Sequence, residues 1–262
     1  MEYVIVATSA LFVSGLTLFS GFGLGTLLLP VFALFLPVEV AVAATAVVHG
    51  ANNILKVSLL GRQADWNVVL RFGLPAILAA FIGAAALGFV SELPVVAEYS
   101  VGSREAVVTP VKLVMGVLMV VFALFELLPA LRNLEFDRKL LTLGGVLSGF
   151  FGGLSGHQGA LRSAFLAKVG LSTAAFVGTN AVVGLLVDLA RISIYGTVFL
   201  RGGSDGMHEA QVGDLVLTGI VAAFAGVLLG KRFIGKVTMR AIQILTGSML
   251  LGIALALGVG LI

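Results

Sequence analysis

Apolar runs long enough to cross a bilayer alternate with short polar segments along this chain. The pattern predicts a helix over residues 4–19, a break at Ser20-Gly21-Phe22-Gly23-Leu24-Gly25, and a short helix over 26–36 that contains Pro30. Longer helices are predicted over 38–60, 66–90 and 110–128. Residues 91–108 read as a polar loop and 129–139 as a linker. A second break, Ser155-Gly156-His157-Gln158-Gly159, stands between the apolar runs 140–154 and 164–169. Arg162 falls in the first turn of the helix that follows it.

The second half repeats the first. Ser20-Gly21 returns as Ser155-Gly156, 135 residues on, and the same offset places Asn53 on Asp188, Lys56 on Arg191, Ser58 on Ser193 and Gly61 on Gly196. After a further shift, Ala79-Ala80-Phe81 with Gly83 matches Ala222-Ala223-Phe224 with Gly226, and Gly116 matches Gly247. Such self-similarity marks membrane proteins built from two repeats. The division expected is 1–130 for the first repeat, 131–139 for the linker and 140–262 for the second.

Composition narrows the class. The chain is 59% hydrophobic and 11% charged, with a mean hydropathy of +1.14, well above a soluble domain. The runs do not alternate every second residue, so a transmembrane barrel does not fit. An all-α, multi-pass protein of the cell (inner) membrane is expected, with the lipid bilayer as a partner. Glu2 and the lack of a basic residue before the first apolar run make that run a retained helix and not a cleaved signal. With no cysteine, disulfides, thiolate metal sites and cysteine nucleophiles are excluded. No cofactor or metal is expected. The net charge of +3 supports no nucleic-acid role, because basic residues in such a chain set orientation first. A homo-oligomer is compatible with the sequence, which sets no oligomeric state.

Orientation follows from the basic residues. If each broken segment is a hairpin, Arg62, Arg71, Arg132, Arg138, Lys139, Lys168, Lys231, Arg232, Lys236 and Arg240 lie near one face, and only Arg104 and Arg201 near the other. If each break lies within a single crossing, the same residues divide evenly. The positive-inside rule favours hairpins. A hairpin plus three crossings is topologically odd, so the repeats would be inverted, with both termini extracytoplasmic. The two breaks would then meet from opposite sides.

The candidate chemistry lies at the breaks and on two helices. An irregular turn holding a His, a Gln and an Arg is costly in an apolar chain unless it lines a polar cavity. Helix N-termini with Arg162 beside them suit an anion. Candidate binding residues are Ser20, Gly21, Phe22, Gly23, Ser155, Gly156, His157, Gln158, Arg162 and Ser163. Asn180, Gly184, Asp188, Arg191 and Tyr195 share one helix face, and Thr45, His49, Asn53 and Lys56 share the equivalent face, with Asn52 beside it. The coupling stripe is thus His49, Asn52, Asn53, Asn180, Asp188 and Arg191, with His157 or Asp188 as the proton carrier. The plainer alternative is an Asp188–Arg191 pair, with Lys56 and Arg191 reaching for the interface. Gly145, Gly149 and Gly153 recur every four residues and predict a close helix contact.

The glycine-rich break early in each half, the proline after the first break and the Ala-Thr-rich helix over 41–48 resemble the sulfite exporter TauE/SafE family. So does Ser155-Gly156-His157-Gln158-Gly159-Ala160-Leu161-Arg162-Ser163 followed by Val187-Asp188-Leu189-Ala190-Arg191. The resemblance spans both halves and implies a carrier of sulfite, sulfonates or related small organic anions. His157-Gln158 departs from the smaller residues usual there. No phosphate-binding loop is present, so an ion gradient or a partner would supply energy. Two other readings compete. One is a passive anion channel. The other is an intramembrane serine hydrolase, with Ser155 in Gly153-Leu154-Ser155-Gly156 as nucleophile and His49 or His157 as base.

Overall fold

In a computed structural model the described residues are 1–16, 23–102, 104–132, 134–202, 209–230 and 239–261. Among them the chain is almost wholly helical. The first half contains α1 (Glu2–Leu16), α2 (Leu24–Ala33), α3 (Val38–Leu60), α4 (Trp66–Val68), α5 (Leu74–Ser91), α6 (Pro110–Leu127) and the short α7 (Pro129–Arg132). The second contains α8 (Leu141–Ser155), α9 (Gly159–Leu166), α10 (Thr173–Gly202), α11 (Glu209–Gly230) and α12 (Met239–Gly258). A π-helical turn, Val69–Gly73, joins α4 to α5.

Local chemistry sets several boundaries. Pro37 precedes α3 and fixes its start where the hydropathy pattern placed it. Asp65 accepts from the Val68 amide at 3.1 Å, and Thr109 accepts from the Lys112 amide at 3.2 Å ahead of Pro110. Gly156 ends α8 with φ 80° and donates to the Gly152 carbonyl at 3.0 Å. Of the first break, residues 20–22 lie outside the described residues; Leu24 and Gly25 are already helical, and Gly23, at φ 116°, precedes them as the N-cap of α2.

Among the described residues five stretches are long and apolar enough to span a membrane: Val38–Gln63, Trp66–Ser91, Pro110–Leu127, Thr173–Gly196 and Gln211–Gly230. Their large outward side chains are apolar, such as Leu78, Ile82, Val117 and Val221, as a lipid-facing surface requires. The protein is an all-α, multi-pass membrane protein.

Residues 91–108 are not a polar loop. Ala97–Val101 (β1) and Arg104–Val108 (β2) form an antiparallel ribbon with Gly102 at φ 66° in its turn. The Val107 amide donates to the Gly260 carbonyl at 3.2 Å, so the ribbon closes over the end of α12. The charged residues hid a strand pair whose inward positions, Ala106 and Val108, are small or β-branched.

Packing sets the second break and the start of α2 among the other helices. α5 and α8 run parallel, with Gly145, Gly149 and Gly153 against the carbonyls of Phe72, Ala76 and Ala80. A Cβ at these glycines would lie 2.2, 2.1 and 2.1 Å from those oxygens. α1 and α11 also run parallel, with Gly226 against the Leu11 carbonyl and Gly230 against Gly15. α3 and α10 are antiparallel: Gly50 adjoins Asp188 and Gly178 adjoins Leu60. α6 and α12 are antiparallel as well, Gly116 facing the Ala254 carbonyl and Gly247 that of Ala123. The two contacts exchange under one offset of 131 residues, which carries Gly116 to Gly247 and Ala123 to Ala254. Exchanging α1, α2, α3, α5 and α6 for α8, α9, α10, α11 and α12 turns α1–α11 into α8–α5. It leaves α3–α10 and α6–α12 unchanged.

The second break is a hairpin. Gly144 lies against the Phe165 ring, Ser148 Oγ donates to the Gln158 carbonyl at 3.0 Å, and the Phe136 amide donates to the Ala164 carbonyl at 3.2 Å. α9 therefore returns along α8 toward the linker.

Candidate functional site

Where α3 crosses α10, the polar stripes of the two helices face each other. Asp188, with no solvent exposure, is the hub. Its Oδ1 accepts from Arg191 Nη2 at 2.7 Å, Arg191 Nε at 3.0 Å and Gln158 Nε2 at 3.3 Å. Its Oδ2 lies 2.7 Å from His49 Nδ1 and accepts from Asn53 Nδ2 at 2.9 Å. A buried carboxylate is tolerated when paired and hydrogen-bonded on both oxygens, and this one is.

Gln158 connects this hub to the second break. Its Oε1 accepts from Arg162 Nη1 at 3.1 Å, and Arg162 Nε donates to Asn180 Oδ1 at 2.6 Å. Asn180 is held in turn by the Phe176 carbonyl at 3.0 Å. Gly184 leaves room for this contact, since a Cβ there would come within 2.8 Å of Asn53 Nδ2 and 3.1 Å of Arg162 Nη1. The start of α2 closes the cluster from the other side. A Cβ at Gly25 would lie 3.5 Å from the Gly156 carbonyl and 3.5 Å from the His49 ring.

Lys56 and Arg191 do not reach for the interface. Lys56 is 7% exposed and Arg191 not at all. Arg191 keeps its Nη1 without a hydrogen-bond partner, and a Cβ added at Gly156 would stand 2.8 Å from that nitrogen. An orphaned guanidinium nitrogen thus points at the glycine break. Tyr195 donates to the Gly153 carbonyl and so ties α10 to the end of α8.

Other candidate residues fall elsewhere. Ser20, Gly21 and Phe22 lie outside the described residues. Gly23 supplies the turn into α2. Asn52 faces α1, accepting from Ser14 Oγ at 3.0 Å. Ser163 turns away from the cluster, with its Oγ unpartnered beside a separate cavity. His157 stacks on Phe122 at 5.0 Å, and its Nδ1 lies 3.1 Å from Ser155 Oγ. Ser155 Oγ itself donates to the Phe151 carbonyl at 3.0 Å within its own helix. Among the described residues no carboxylate is placed to orient His157 as a catalytic base. Ser148 and Ser14, which brace the cluster, carry no sequence signal beyond small polar residues in apolar runs. Glu126 carried a signal that was missed: a lone acid near the end of an apolar helix.

A helical, multi-pass protein with a buried charged cluster, set between the start of α2 and the α8–α9 break, has the build of a membrane transporter. The sequence profile of the family described as "Sulfite exporter TauE/SafE" matches residues 4–257. The chain belongs to the sulfite exporter TauE/SafE family, and with it to the membrane transporters of the sulfite or anion exporter type. No curated protein and no solved structure matches it.

Proposed function

We propose that this protein is a secondary transporter, working as an exporter, that binds a small oxyanion such as sulfite or a sulfonate between the two breaks. The observation that carries this reading is an excess of buried positive charge. Arg162 and Arg191 are buried beside the single carboxylate of Asp188, Lys56 is buried one turn from Asn53, and Arg191 Nη1 is left without a hydrogen-bond partner. A buried guanidinium nitrogen without a partner is costly, and an anion offsets it. The first-turn amides of α2 and α9 add donors and a partial positive charge. Arg191 is the direct ligand. Arg162, held by Gln158 and Asn180, supplies charge and shape.

Arg191→Lys keeps the charge but removes Nη1. Losing a charge-assisted hydrogen bond of ~1.5–3 kcal/mol should weaken sulfite binding roughly ten- to a hundredfold. The check is the sulfite-dependent rise in melting temperature of the purified protein, compared with sulfate, thiosulfate, sulfonates and carboxylates. A folded Arg191→Lys protein with wild-type sulfite response would remove Arg191 from the site. The absence of any anion response in the wild type would remove the site itself.

The halves are proposed as inverted repeats, residues 1–130 and 140–262. Support comes from equivalent helices that pack antiparallel, α3 on α10 and α6 on α12. An axis relating such pairs runs across the helices and not along them. Both termini then face outside and residues 131–139 face the cytoplasm. With no native cysteine in the chain, Ser100→Cys and Asn133→Cys should react with an impermeant thiol reagent from opposite sides of the membrane. Reaction from one side would contradict the inversion.

A further inference from the structure

A second polar feature lies apart from the cluster. A cavity of about 620 Å³ opens at the linker end of the bundle between α6, α9, α10 and α12. Its exposed mouth includes Glu135, Ala167 and Thr173, and its walls include Ser163, Gln243 and Glu126. Glu126 is 3% exposed and has no hydrogen bond or ion pair among the described side chains. Ser163 Oγ, about 100° around α9 from Arg162, is also buried without a partner.

The other charged groups here are already engaged or outside. Glu135 pairs with Lys168 at 3.8 Å across the rim. Arg240 is exposed one turn before Gln243 on α12. α5 presents no ionisable group. Arg162 is turned into the cluster, and His157 sits one turn back along α6, against Phe122. Asp188 is a poor proton carrier, since both its oxygens are already occupied by Arg191, His49, Asn53 and Gln158.

The geometry points to Glu126 as a proton-binding site on the floor of the linker-side cavity, distinct from the anion site and loaded from the solution on that side. A buried carboxylate in a cavity lined by Phe125, Leu131, Leu166 and Phe176 is stabilised by taking up a proton, and the cavity provides the path for it. The carboxylate takes one proton from the linker-side water to become a carboxylic acid; at rest it returns that proton to the same water, and in a coupled cycle it gives it up on the far side. No other bond changes. As a coupling site it rests on the proposed anion transport; as a proton site it does not.

Two measurements separate these claims. Dicyclohexylcarbodiimide attacks protonated carboxyls in apolar surroundings. In wild-type protein in lipid nanodiscs it should modify the peptide that carries Glu126, less so as the buffer passes from mildly acidic to mildly alkaline. No modification, or modification that ignores pH, would overturn the proton site. In proteoliposomes loaded with sulfite, an imposed pH difference should change wild-type flux. Glu126→Gln should carry sulfite at a rate indifferent to that difference, while Glu126→Asp should restore the response. A pH-responsive Glu126→Gln protein would overturn the coupling role. If the wild type moves no sulfite, the transport reading fails, while the carbodiimide result still decides Glu126.

Discussion

Asp188→Ala is expected to eliminate most of the folded protein. Five contacts converge on that carboxylate, from His49, Asn53, Gln158 and twice from Arg191, and no water reaches it. Removing one partner of a buried ion pair costs about 3–5 kcal/mol, because the other charge stays buried without compensation. Here Arg191 would be stranded while Arg162 and Lys56 remain nearby. Such a loss is comparable to much of the stability of an ordinary domain. Asp188→Asn keeps the shape but reverses two of the contacts, so it should fall between Ala and wild type. The comparison is Asp137→Asn in the linker. Asp137 Oδ1 accepts from the Lys139 amide at 2.8 Å in an exposed turn, and asparagine serves there equally well. Size-exclusion profiles and melting temperatures of detergent-purified variants make the measurement. An Asp188→Ala protein that melts with the wild type would show that the cluster contributes nothing to stability.

Gly149→Ala should be nearly as damaging, for a reason of space alone. The added Cβ would stand 2.1 Å from the Ala76 carbonyl oxygen and 2.6 Å from its Cα. Backbone cannot rotate aside as a side chain can, so α5 and α8 must separate. Overpacking costs about 1–3 kcal/mol where side chains yield, and this site has none to yield. Separating the helices would also lift Gly145 and Gly153 from Phe72 and Ala80, and with them the close contact that small residues permit in a membrane. Gly252→Ala on α12 is the matched control. Nothing lies within 4 Å of its Cβ, so it should be neutral or stabilising by up to about 1 kcal/mol. Equal melting temperatures for the two variants would mean that the α5–α8 contact is looser than described.

Helical period explains what could be read in advance and what could not. Asn180, Gly184, Asp188 and Arg191 recur at intervals that select one face, and that face is buried at the α3–α10 crossing. The every-fourth glycines of α8 likewise announced their contact. Neighbouring residues were harder. Asn52 and Asn53 point about 100° apart on one helix, as do Arg162 and Ser163, so only one of each pair can face a given centre. Asn53 and Arg162 join the cluster, whereas Asn52 turns to Ser14 and Ser163 to the cavity. Which partner helix lies on each side is a tertiary fact that period does not contain. The ribbon over residues 97–108 was hidden for another reason. Its length is too short for alternation to stand out against its charges.

The crossing of α3 and α10 has a consequence for the energetics of a working cycle. Asn53 meets Asp188, its own counterpart 135 residues on, and around them Thr45 corresponds to Asn180, His49 to Gly184 and Lys56 to Arg191. Were the two halves identical, a carrier open to one side and the same carrier open to the other would be degenerate conformers, equally populated at rest. None of these four pairs is a match. One half brings the acid and a guanidinium, the other an amide, an imidazole and an ammonium. On the inverted-repeat carrier proposed above, the degeneracy would be broken at the α3–α10 crossing, and the resting molecule would have a preferred side, set by unlike residues occupying like positions.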